Sequence, residues 1–166
     1  MTDTVKLIYG NLFLRLEWLI MLCYVGKKNG ELYSFIDPHC EPKFISFVVR
    51  GRKFIGSVYA LSSDLKAIHN YQIGTLKLLS QTLIRKQIPQ QWKRSTKWVS
   101  GRYDYWFDAA NNTLWIYIEG NAVARFFMPA NANSYLVEYF IESQIKLLEE
   151  YIRGKAPSGK NKATGK

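Results

Sequence analysis

Apolar residues follow two rhythms along this chain, and the rhythms alternate in the same order twice. Over residues 43–50, Phe44, Ser46 and Val48 fall on one side of an extended chain and Ile45, Phe47 and Val49 on the other. A period of two with both sides largely apolar predicts a central strand. Residues 53–60 predict another strand after the turn Arg50-Gly51-Arg52. The period then lengthens. Leu65, Ile68, Ile73, Leu76, Leu79 and Leu83 fall near helical spacing. They predict a helix capped by Ser62 or Ser63, with Asp64 near its positive end and Pro89 as its stop. Gly74 weakens its interior slightly. Alternation resumes over 102–108, 113–119 and 122–128, divided by turn-forming Ala109-Ala110-Asn111-Asn112 and Gly120-Asn121. Tyr135, Val137, Phe140, Ile141, Ile145, Leu148 and Ile152 then predict a second long helix, capped by Asn131 or Asn133.

Upstream, Leu12, Leu14, Leu16 and Trp18 alternate with Phe13, Arg15, Glu17 and Leu19, which suggests a long strand over 12–25, although an apolar run of this kind also suits a helix. Asn29-Gly30 closes a turn, 31–36 return as a strand, and Pro38 and Pro42 mark a loop. The basic stretch 90–100 is a linker that forms a strand in part. The expected fold class is α+β: two β-β-β-β-α units, with curved antiparallel sheets packed with two long helices. The units cover about 12–88 and 96–153 within one globular domain, 1–153, and residues 154–166 form a disordered, basic, low-complexity tail. The doubling is visible in the residues themselves. Phe54-Ile55-Gly56-Ser57-Val58-Tyr59 leads into a helical run containing Leu76-Lys77-Leu78-Leu79, and Val123-Ala124-Arg125-Phe126-Phe127 into one containing Ile145-Lys146-Leu147-Leu148. The offset is about 68 to 69 residues, and a repeated supersecondary unit restricts the fold more than any single motif.

Charge changes the picture next. The net charge is +10, and from Pro42 to Tyr103 Asp64 is the only acidic residue. A field of that sign favours polyanions, nucleic acid before an anionic membrane surface. Cys23 and Cys40 make neither a disulfide framework nor, with His39 and His69, a zinc site. No cofactor or metal is expected. The start of the chain lacks a cationic leader, and 12–25 is too short and too charged to span a bilayer. The expectation is a soluble intracellular protein, cytoplasmic by default. Phosphate loops, nucleophile elbows and metalloprotease helices are absent from the sequence, so an enzyme is not expected.

Binding has better support. Eleven Tyr, nine Phe and five Trp accompany the basic charge. In the strand over 113–118, period two sends Trp115 and Tyr117 to the face opposite Leu114, Ile116 and Ile118. Its hairpin partner puts Tyr103, Tyr105 and Phe107 on one face and Arg102, Asp104 and Trp106 on the other. Rings flanked by cations on a sheet face suit single-stranded nucleic acid, where bases stack and cations follow phosphates. At least half of these rings are expected to be core instead. The candidate nucleic-acid-binding residues are Arg50, Arg52 and Lys53 at a hairpin tip, Trp92, Lys93, Arg94, Lys97, Trp98 and Arg102 in and beside the linker, and Trp115 and Tyr117 on the sheet. The expected partner is single-stranded DNA or RNA, with a homo-oligomer as a further possibility. The alternative is an assembly subunit using the same rings as a protein interface, with attachment to anionic membrane third.

The order of elements, with its aromatic-basic sheets and the strand-to-helix junction Ala60-Leu61-Ser62-Ser63, resembles the Whirly and Pur-type single-strand-binding families over roughly residues 12–153. The Lys-Gly-Lys-Ala motif of plant Whirly proteins and any Pur signature are absent. The resemblance implies the fold, a single-stranded ligand and oligomers, and it assigns no functional residue.

Overall fold

The computed structural model describes residues 25–26, 32–36, 44–49, 53–94 and 101–154. Arg50, Arg52, Lys97, Trp98, the strand expected before residue 25 and the tail after 154 lie outside these residues. The described strands are β1 (Val25–Gly26), β2 (Leu32–Ile36), β3 (Phe44–Val49), β4 (Lys53–Tyr59), β5 (Tyr103–Asp108), β6 (Thr113–Ile118) and β7 (Asn121–Phe127). The helices are α1 (Leu65–Leu79), prolonged by a wider π-type turn over Ser80–Ile84, and α2 (Ser134–Arg153).

All seven strands belong to one antiparallel sheet in the order β1-β2-β3-β4-β7-β6-β5. This bears out an α+β fold with two helices and corrects its subdivision. The chain does not build two β-β-β-β-α units on separate sheets, as the Whirly and Pur-type resemblance implies. Among the described residues, three strands lie between α1 and α2; residues 90–94 turn and run irregularly, and residues 95–100, where the second unit is expected to begin, lie outside the described residues. The two meanders merge because the last strand of each, β4 and β7, pair with one another at the centre of the sheet.

Both helices cover one face. Phe47 and Phe126 are fully buried beneath them, Phe47 edge-on to Tyr71 of α1 and Phe126 edge-on to Phe140 of α2. Period two explains the rest of this layer: Leu32, Ile45, Val58, Leu114 and Ile116 alternate inward and join one core. Gly56 is required at the seam. A Cβ there would lie 2.5 Å from both the Arg125 carbonyl oxygen and the Phe126 ring. Gly74 lies between the helices, where a Cβ would meet Leu147 Cδ2, the far end of a flexible side chain, at 2.6 Å. Its cost in helix propensity is offset by the close approach of α2.

The caps follow short-range chemistry. Asp64 itself caps α1, accepting from Lys66 N at 3.0 Å, while Ser62 Oγ accepts from Asp64 N at 3.1 Å. The serine expected at the cap therefore supports the aspartate that takes the position. Asn133 caps α2, accepting from Leu136 N at 2.8 Å. Polar groups in the helix layer find one another. The Tyr71 hydroxyl donates to Gln144, and Gln144 Nε2 donates to Thr75 Oγ1 at 3.4 Å. The Tyr151 hydroxyl accepts from Leu61 N at 2.9 Å, and its ring stacks on Tyr71 with centroids 4.6 Å apart. Burial pushes the Tyr151 hydroxyl up to about 12 and raises that of Tyr71 well above its ordinary value.

Candidate functional site

The opposite face of the sheet carries no helix among the described residues, and its register builds a surface that no single strand reveals. Cross-strand partners in an antiparallel ladder share a face. The pairs Phe35↔Ser46, Ser46↔Ser57, Ser57↔Arg125, Arg125↔Trp115 and Trp115↔Trp106 therefore form one transverse row over six strands. Its middle is small and polar, its ends aromatic. The result is a groove of about 560 Å³ with Ser46 and Ser57 at its floor. Phe35, Phe44, Tyr59, Phe54 and Trp115 contribute its walls. Phe44 and Tyr59 face each other across β3 and β4 and stack at 4.6 Å.

Arg125 is the cation lining the groove, while Asp104 stands on the same face opposite Tyr117. Arg125 sits half-buried in β7 between inward-facing Ala124 and Phe126, so alternation turns it to the open side. Its guanidinium lies 5.6 Å from the Phe54 and Trp115 ring centroids and 5.2 Å from that of Phe127. No carboxylate among the described residues pairs with it; the ion pairs there join Arg94 to Glu138 and Arg102 to Glu119. Rings attract a cation through their quadrupole but leave the N–H donors of the guanidinium unused. The arrangement places a multi-donor cation beside a groove with aromatic walls.

The structure divides the residues that the sequence grouped together. Trp115 and Tyr117 do lie on the face away from the helices, Trp115 opposite Arg125 and Tyr117 opposite Asp104 and Ala122. Tyr103, on the other face of β5, is core. Trp92 and Arg94 lie on the helix side. The Trp92 indole N–H donates to Glu142 of α2, and its ring packs edge-on against Tyr139 at 5.8 Å. Arg94 Nη2 pairs with Glu138 at 3.4 Å. These contacts strap the linker to α2, so Trp92 and Arg94 do not join Trp115. Lys93 is exposed beside them. Arg102 lies at the start of β5, 3.8 Å from Glu119 and over the Tyr103 ring. Lys53 is exposed at the start of β4, opposite Val49.

Sequence reasoning did not single out Arg125, Phe35, Phe44, Phe54, Tyr59 or the two serines that line this groove. One signal was present: a lone arginine inside Val123–Phe127, a strand apolar on both sides, needs either a partner or a function. No cluster of three or more His, Cys, Asp or Glu side chains capable of holding a metal occurs among the described residues. No described helix is long and apolar enough to cross a membrane.

No protein-family model matches the chain, and neither does any curated protein. Among solved structures the chain is similar to Rv3902c from M. tuberculosis, at 14% identity and a TM-score of 0.39, over 76% of this chain and 67% of that one. A likeness at that level transfers neither fold nor function.

Proposed function

We propose that the helix-free face binds single-stranded nucleic acid without catalysis. The observation that carries this reading is Arg125: a cation ringed by Phe54, Trp115 and Phe127, without a carboxylate partner among the described residues, on the aromatic face of a +10 protein. Such a face offers stacking to bases at about 1–3 kcal/mol each, and the surrounding positive field draws the strand in. The second reading, a protein-assembly surface, is favoured by the apolar walls of the groove, since Trp, Tyr and Arg also dominate protein interfaces.

Fluorescence anisotropy of a labelled oligonucleotide, at low and moderate salt, separates the two. Binding that weakens as salt rises is expected, because phosphate neutralisation releases counterions. Trp115→Ala is expected to reduce affinity by about 5- to 100-fold, the equivalent of one lost stack. An absence of binding at low salt refutes the nucleic-acid reading. A larger particle in light scattering without oligonucleotide, lost in Trp115→Ala, then supports assembly.

A further inference from the structure

The floor of the groove is polar in a way that stacking alone does not need. Ser46 and Ser57 are direct cross-strand partners at its centre, and Arg125 is the next residue along the same row. All three line the cavity. Both serines are half-buried. Phosphates of a strand lying across the surface stay in solvent and seek exposed cations; a floor between rings receives the edge of a flat group inserted between them. We infer that the groove is a single-base pocket that reads the edge of the inserted base and favours guanine. This rests on the nucleic-acid reading above and adds a ligand identity to it.

The preference follows from donor and acceptor counting. Arginine supplies up to five N–H donors in a planar fork and accepts nothing, while each serine hydroxyl adds one donor and can also accept. A donor-rich floor matches an edge that presents acceptors. Guanine offers O6 and N7 together, the pair that an arginine fork meets bidentately. Adenine puts an amino group where O6 would be, so one guanidinium donor would face another donor. Cytosine likewise presents an amino donor. The guanidinium already lies 5.2–5.6 Å from three ring centroids, which limits the freedom it has left to lose on binding.

The test uses the full chain and short abasic strands carrying one central guanine, inosine or adenine, read by anisotropy. Inosine keeps O6 and N7 and lacks only the 2-amino group. Guanine and inosine are expected to bind alike and adenine about tenfold more weakly, the scale of one bidentate contact. Arg125→Lys keeps the charge and loses the fork, and is expected to level the three oligonucleotides while retaining salt-sensitive binding. The Ser46→Ala and Ser57→Ala pair, which removes only two hydroxyls, is expected to narrow the preference. Equal binding of all three oligonucleotides by the unaltered protein overturns the base pocket and leaves strand binding standing. Failure of every oligonucleotide to bind overturns both.

Discussion

Where β4 meets β7, the two halves of the chain contribute opposite things. The first half brings Gly56, Ser57 and Val58; the second answers, pair by pair, with Phe126, Arg125 and Ala124. Each pair sets a small residue against a larger one, and the alternation along β7 decides which layer gains. Phe126 fills the core because Gly56 leaves it room. Arg125 stands on the open face because Ser57 does not compete for the space. Val58 takes the volume that Ala124 gives up. Two identical halves would put two rings, or two guanidiniums, against each other. The seam therefore places Arg125 alone against Ser57, and the chemistry of the candidate site depends on the two halves being unlike here.

The largest way to break that complementarity is Phe126→Ala. The ring is fully buried against Phe47 and Phe140, so its loss leaves a cavity in the middle of the core. A loss of about 3–5 kcal/mol is expected in urea unfolding. Gly56→Ala attacks the same pair from the other side. Its Cβ would press on a backbone oxygen and on a ring that cannot move, and a loss of about 3 kcal/mol is expected, the upper end for overpacking.

Alkaline pH probes the helix layer instead. The Tyr151 hydroxyl is held up to about 12, against an ordinary value of 10.0, because burial opposes the phenolate. Between those values the folded state keeps a proton that the unfolded state has released. Stability is thus complete below pH 10 and declines as pH rises to about 12, by on the order of 2 kcal/mol. Phenolate absorbance at this site should appear together with unfolding. The smallest effect is expected from Gly74→Ala. The obstruction there is the far end of the Leu147 side chain, which can rotate away, and alanine is the better helix former. Its stability should stay within about 1 kcal/mol of the parent. A loss as large as that of Gly56→Ala would show the helix crossing to be as rigid as the sheet seam.

Element type was readable from the sequence wherever one period dominated. The strands around Phe44–Val49, Tyr103–Asp108 and Thr113–Ile118 and both helices stand where the alternation put them. Asn133 is among the caps named beforehand, whereas Asp64 displaced its neighbouring serines because the longer side chain reaches Lys66 N while Ser62 steadies Asp64 N. That Trp115 and Tyr117 oppose Leu114, Ile116 and Ile118 was also legible, since period two assigns it, but which row of β5 joins the core was not. Nor were neighbouring strands. Ser46, Ser57 and Arg125 become one row only through register, and period two is silent on which strand lies beside which. Trp92 misled for the same reason: its local company is basic, but its partner Glu142 is 50 residues away on α2.

The seam has a further consequence for the order in which the protein is made. β4 is complete long before β7, and the bonds that join them span about 66 to 70 residues of chain, through α1, the linker and a whole meander. Contacts of that separation carry a large loop-closure cost and form late. Until β7 arrives, β4 is an edge strand with open backbone donors and acceptors and an exposed Phe54 beside them. A nascent or truncated first half therefore offers a template to any other extended chain, including another copy of itself. The strand pair that fixes the native groove is, during synthesis, a position where the chain is open to pairing with the wrong partner.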